Sequence, residues 1–265
     1  MKLEYVPLLQ LQRDIQGLPR NYKRFRQYLR TITSQGGAGL KLPSLLMMNP
    51  MGKDHVTALL DALLTLDADG IATRAVAEAR DQLTKEPGDF KVALVIADDL
   101  MGGWTNRYAN EFSLRFPQAR AGAGMPRWLT DLWITSVVWS SEVPSEQAVR
   151  EAILTAIYRV AFLQLHGRPR TLGEKLAQEG AVMARAGCTR PVLDEEEIAY
   201  TREVLVPFLD AEDMRTTIEC LFGDAPAHTL GFSPHGLSPW AGLALALHDA
   251  KNGDQTRSSR SPGKR

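Results

Sequence analysis

The chain has 265 residues, 44% of them apolar and 23% charged, with 31 basic side chains against 31 acidic ones. That composition excludes a disordered or collagen-like chain and leaves length for one large core or two small ones. Net charge singles out no class of partner. The imbalance is local: five basic residues and one acid fall in 251–265, leaving 26 basic against 30 acidic before them.

Two cysteines, Cys188 and Cys220, suit a reducing compartment and have no metal-ligand spacing. The longest apolar run, 241–247, contains a glycine and is far too short to span a bilayer. Charged residues from the second position onward are unlike a signal peptide. The expectation is a cytoplasmic protein with no membrane partner.

Residues 1–50 open with a short apolar and polar segment, followed by a basic helix over 21–32. Tyr22, Phe25, Leu29 and Ile32 share one face, and Lys23, Arg24, Arg26 and Arg30 occupy much of the rest. Basic residues interleaved with aromatics can track a phosphate backbone, and a solvated charged face explains the same pattern. The Gly36, Gly37 and Gly39 loop lacks the Gly-Lys-Ser/Thr ending of a nucleotide loop. Helices are expected over 53–66 and 69–85, with His55 on the surface in the first turn of its helix.

The dense β-branched run 90–97 predicts a strand that ends in Asp98 and Asp99, with Gly102, Gly103 and Trp104 just beyond. Paired carboxylates at a strand end, followed by glycines, can form a metal or ligand site. The same residues also serve as an ordinary exit turn. A second strand is expected over 128–140.

Two helices follow, joined by a turn at 166–170. In the first, Val149, Ile153, Ala156, Ile157, Val160 and Ala161 repeat at helical spacing. The second opens with Thr171 and Glu174 at the spacing of a capping box and carries Glu179 and Gly180. Asp194 starts another helix that Pro207 ends, Asp210 is expected to start one reaching Phe222, and 223–239 to be irregular. A last buried helix is expected from Pro239, and a disordered basic tail over 251–265.

Three stretches carry a resemblance: Thr171 to Gly180, Leu221-Phe222-Gly223, and Leu237 to Leu245 with Pro239, Trp240 and Gly242. Together they resemble a group of predicted bacterial zinc-dependent peptidases of the gluzincin kind, over roughly 90–250. In that family an H-E-x-x-H helix supplies two zinc ligands and a general base, and a glutamate on the next helix is the third ligand. The resemblance puts Glu179 in the third-ligand position. The first helix departs from the pattern: Ile157 and Ala161, or Ala156 and Val160, stand where the ligands would be, and Tyr158 or Ile157 where the base would be. No histidine lies between Trp139 and Leu165, so this helix offers no metal ligand and no cofactor is expected.

The expected fold is α+β and predominantly helical, a zincin-like small sheet packed on a central helix pair. The expected organisation is an N-terminal helical region over 1–89, a zincin-like domain over 90–250 and the tail over 251–265. The functional expectation is a non-catalytic relative that binds a peptide or protein in the former cleft, with Gly102, Gly103, Trp104, Trp133 and Tyr158 lining it. Strand addition at the edge strand 133–139 would hold the peptide. The alternatives are a hydrolase with an unconventional metal site near Asp98, Asp99 and Glu179, completed by His166, His228 or His235, and a polyanion-binding protein using the basic helix and tail.

Overall fold

The structure is a computed structural model that describes residues 1–34, 39–100, 106–117 and 132–258, the last five by backbone alone. These residues form two compact units: 1–107 with 132–161, and 108–117 with 162–258.

In the first unit, β1 (Lys2–Tyr5), β2 (Asp89–Ala97) and β3 (Trp133–Trp139) make a parallel sheet in the order β1-β2-β3. Parallel neighbours need a long crossover. Between β1 and β2 the chain supplies α1 (Leu9–Gly17), α2 (Tyr22–Ile32), α3 (Asp54–Thr65) and α4 (Ala68–Gln82). From Val92 to Ala97 every residue of β2 is buried. Because successive side chains point to opposite faces, both faces of the central strand are covered, which is why its sequence is continuously apolar.

β1 pairs with β2 only as far as Tyr5 opposite Val92. Further along, the buried Gln12 of α1 takes the place of a strand neighbour. Its amide N–H donates to Ile96 O (3.1 Å), and its Oε1 accepts from Ile96 N (2.9 Å). Leu8, Ile15, Tyr28 and Ile32 pack with Ala93, Val95 and Trp133 in one core cluster. Helix α6 (Glu146–His166) meets α4 through an Arg150–Glu78 ion pair (2.6 Å) and a Tyr158 hydroxyl contact with Gln82 (3.0 Å).

The second unit takes all but the first residue of α5 (Arg107–Arg115), with α7 (Leu172–Ala186), α8 (Glu195–Leu205), α9 (Met214–Phe222), α10 (Asp224–Thr229) and α11 (Ala241–Ser258). The capping box at Thr171 and Glu174 is formed, and Gly187 ends α7 at φ 73°. Two glycines let backbones meet where no side chain would fit. A Cβ on Gly180 would stand 2.4 Å from Ala246 O, and one on Gly242 2.3 Å from Cys220 O. Tyr108, Phe222 and Trp240 stack on one another at centroid distances of 5.7, 5.9 and 5.3 Å.

The fold is α+β and predominantly helical with one small sheet, and both helices of the expected pair are present. Several boundaries differ for local reasons. Residue 89 is not a division within the first unit, because β1 lies in 1–89 and pairs with β2. The strand expected from 128 is described from Trp133, and 128–131 lie outside the described residues. The helix expected from Asp210 begins at Met214, because Asp213 is the residue whose carboxylate caps Thr216 N. Within 223–239, α10 is helical, and the backbone of α11 continues to Ser258, well into the expected tail.

Ile157 and Ile153 are fully buried, and Val160 and Ala161 are buried beside them on the same helix. Truncation of Ile157 to alanine should therefore destabilise the protein by about 2–5 kcal/mol in urea unfolding, the range for removing a buried large aliphatic side chain.

Candidate functional site

β2 and β3 end side by side, with Ala97 paired to Trp139. Each strand is followed by two polar residues, Asp98-Asp99 and Ser140-Ser141, and these meet at the carboxyl end of the sheet. This is the end of a parallel sheet at which ligands gather, because the backbone and the loops open there.

Asp98 is 3% exposed. Its Oδ1 accepts from His55 Nε2 (2.7 Å), Ser140 Oγ (3.0 Å) and Leu100 N (3.2 Å), and its Oδ2 accepts from Asn49 Nδ2 (2.7 Å). Burial by itself would raise the carboxyl's pKa. The donors from His55, Asn49, Ser140 and Leu100 outweigh it and hold the group below the usual aspartate range.

Asp99 shares one of these partners, since Ser140 Oγ also lies 3.0 Å from its Oδ1. Its oxygens accept from Ser141 N (2.9 Å), Ser141 Oγ (2.6 Å) and Arg107 (3.3 Å). Arg107 also reaches Glu142 and lies over the Trp139 ring, 5.3 Å from its centroid. Its charge is balanced by two carboxylates, so this flank of the site is a closed ionic clasp.

His55 completes the arrangement. It stands in the first turn of α3, and its Nε2 must carry the proton given to the ionised Asp98. In the neutral ring the lone pair sits on Nδ1, which is buried and has no hydrogen-bond partner among the described residues. The expected surface position is corrected: the side chain is 17% exposed and turned inward by Asp98. An Asp–His pair of this kind fixes the imidazole tautomer and makes the opposite nitrogen a proton acceptor.

The remaining sequence candidates are elsewhere. Glu179 belongs to the second unit, is fully buried and takes hydrogen bonds from Arg115 and from Gln178 Nε2 (3.0 Å). Arg115 also pairs with Glu111 at 2.9 Å. Burial works against the arginine's charge, and the two carboxylates more than offset it. Glu179 therefore serves as an internal counter-ion that ties α5 to α7. His235 lies 3.2 Å from Glu219, His166 stacks on Phe162 at 4.4 Å, and His228 is exposed on α10. Among the described residues, no three His, Cys, Asp or Glu side chains are placed to hold a metal ion.

Trp133 and Tyr158 do not line an open cleft, since both are buried. Lys91 covers the Trp133 ring at 5.6 Å, and Gln82 holds the Tyr158 hydroxyl. Gly102, Gly103 and Trp104 lie outside the described residues. Cys188 and Cys220 are buried and form no disulfide among the described residues, and burial with the nearby Glu219 and Asp213 pushes Cys220 up to about 12, so it is no nucleophile.

Sequence reasoning missed His55, Asn49, Ser140 and Arg107. One available signal was the mirrored pattern of two buried strands, each ending in a pair of polar residues. No helix among the described residues is long and apolar enough to cross a membrane.

No family model matches the chain, and no solved structure matches it. Over 178 residues the chain is 28% identical to Uncharacterized protein YjfC of Bacillus subtilis (strain 168), a match covering 64% of this chain and 55% of that protein. The chain thus spans about half the length of the curated relative it matches.

Proposed function

We propose that the first unit is a hydrolase domain acting on a small polar substrate at the carboxyl end of its sheet, with His55 as general base and Asp98 as the group that orients it. One observation carries the reading: His55 gives Nε2–H to a buried carboxylate while Nδ1 is buried and unpaired among the described residues. Buried polar atoms are nearly always satisfied, so an orphaned imidazole nitrogen beside an ionised aspartate has the arrangement of a base awaiting its proton donor. Asn49 and Ser140 hold the carboxylate from two further sides, which limits its rotation. The clasp of Asp99, Ser141, Arg107 and Glu142 keeps the two strand ends in register.

Peptide capture by strand addition has less support. In β3, Ile134, Ser136, Val138 and Trp139 are each no more than 3% exposed, so side chains and backbone are covered there. The resemblance to zinc peptidases has no metal-ligand group behind it among the described residues.

The test is direct. Long-range nitrogen–proton NMR on the neutral His55 ring should show the Nε2–H tautomer. In a panel of activated esters and phosphodiesters, His55→Gln should lose about 100-fold or more of the wild-type rate, the usual contribution of a general base. An Nδ1–H tautomer, or an unchanged rate in a folded variant, would sink the proposal.

Asp98 also sets a pH dependence of stability. Its folded pKa lies below the ordinary aspartate value of about 3.9. The stabilisation is therefore fully present above about pH 4 and is lost as pH falls through the folded value. Asp98→Asn should flatten that acid limb in denaturant titrations across this range, and an unchanged acid limb would contradict the assignment.

A further inference from the structure

Charge is segregated along the first unit. Residues 15–53 hold seven basic side chains and no acid, whereas the rest of 1–250 has 19 basic against 30 acidic. Helix α2 runs through that stretch. Its apolar side is turned inward, with Tyr28 and Ile32 in the core cluster and Phe25 packed against it. The opposite side carries Tyr22, Lys23, Arg26, Leu29 and Arg30, all exposed and on one face at helical spacing.

Two more exposed cations extend the row. Arg20 stands just before the helix, and Lys41 follows its end, where Lys41 N donates to Ile32 O (2.8 Å). Among the described residues, none of Arg20, Lys23, Arg26, Arg30 and Lys41 makes a side-chain ion pair. Like charges four residues apart, at Arg26 and Arg30, weaken a helix, and an anion lying over them reverses that effect. The helix is anchored instead by Arg24, which is 7% exposed and turned inward. It donates to Leu18 O (2.7 Å), Gln16 Oε1 (2.9 Å) and Gly52 O (3.2 Å), all neutral oxygens. The outer cations take no part in that anchoring.

We infer that this face binds single-stranded nucleic acid through its phosphates and one base. Lys23 to Arg30 spans about 10 Å of helix, and Arg20 and Lys41 continue the row beyond both ends. A row of this kind follows a phosphate backbone. Tyr22 is 73% exposed and offers a ring on which a base can stack. A duplex keeps its bases inside and leaves that ring unused. A bilayer is the poorer occupant, because an interfacial helix inserts its apolar side, and that side of α2 is already in the core. Phosphate charge and the face of a base are common to RNA and DNA, so the surface takes either sugar. Such binding does not depend on the hydrolase chemistry proposed above.

Fluorescence anisotropy of the full chain with labelled oligo-U and oligo-dT is the test. Both should bind saturably at low salt and with similar affinity. The log–log slope of affinity against salt should be about −3.5, about 0.7 for each of five phosphate contacts. The double variant Lys23→Gln, Arg26→Gln should bind about tenfold or more weaker, with the slope reduced to about −2. Tyr22→Ala should lower affinity about fivefold or more and leave the slope unchanged. All three side chains are exposed, so the variants should keep the wild-type circular dichroism spectrum. Absence of saturable binding to either oligonucleotide would overturn the inference, as would unaltered affinity in the double variant. Unaltered affinity in Tyr22→Ala, or tighter binding of a duplex, would overturn the single-stranded assignment. Binding to phosphatidylserine vesicles in place of the oligonucleotides would make the face a membrane contact instead.

Discussion

A carboxylate buried at the end of an apolar strand must be hydrogen-bonded from several directions, and the first unit is arranged around that demand at Asp98. Besides the local Leu100 N, its donors are Asn49 before α3, His55 in the first turn of α3, and Ser140 after β3. Removal of any one leaves charge in a low-dielectric setting with fewer partners, which costs more than an ordinary hydrogen bond contributes. The carboxylate therefore ties the start of α3 to the ends of two strands. The same arrangement that satisfies Asp98 turns His55 inward and leaves its second nitrogen without a partner among the described residues. Structure and candidate chemistry share one cause here.

The second unit meets a similar demand by other means. Glu179 is buried beside Arg115, whose second carboxylate partner is Glu111, so the charges are balanced within the unit. Its neighbour Gly180 allows α7 to approach the Ala246 carbonyl of α11 at a distance no side chain permits. Glu179 and Gly180, which resemble part of a zinc-peptidase helix, are accounted for by charge pairing and close packing. The Phe222, Gly223, Trp240 and Gly242 signals have the same basis. Trp240 N donates to Phe222 O (2.9 Å), the two rings meet edge to face, and Gly242 admits the Cys220 carbonyl.

Tight packing along α11 and open space between α7 and α8 have a common origin in residue size. Where α7 presents Gly180 to α11 the backbones touch, and the small Ala177 and Ala181 beside it line the open space toward α8. Close approach to one neighbour thus leaves a groove toward another.

Local order was legible in the sequence because its causes are local. The apolar periodicity of 146–166, the Thr171 and Glu174 capping box, the glycine ending α7 and the continuously apolar β2 all depend on residues within a turn or two of one another. Asp98 and Asp99 at the end of a buried strand were visible for the same reason. β1 was not, because four residues with mixed polarity become a strand only by pairing with β2. The fates of the candidate residues were also beyond local reach. His55 looks like a surface residue of a helix start until Asp98, forty-three positions away, turns it inward. Glu179 looks like a ligand until Arg115 arrives from α5. By itself the sequence determined which segments are helix or buried strand and where charges stand along them. Tertiary structure decided which of those charges meet, since burial, pairing and an imidazole nitrogen without a partner among the described residues arise only once distant segments share one space.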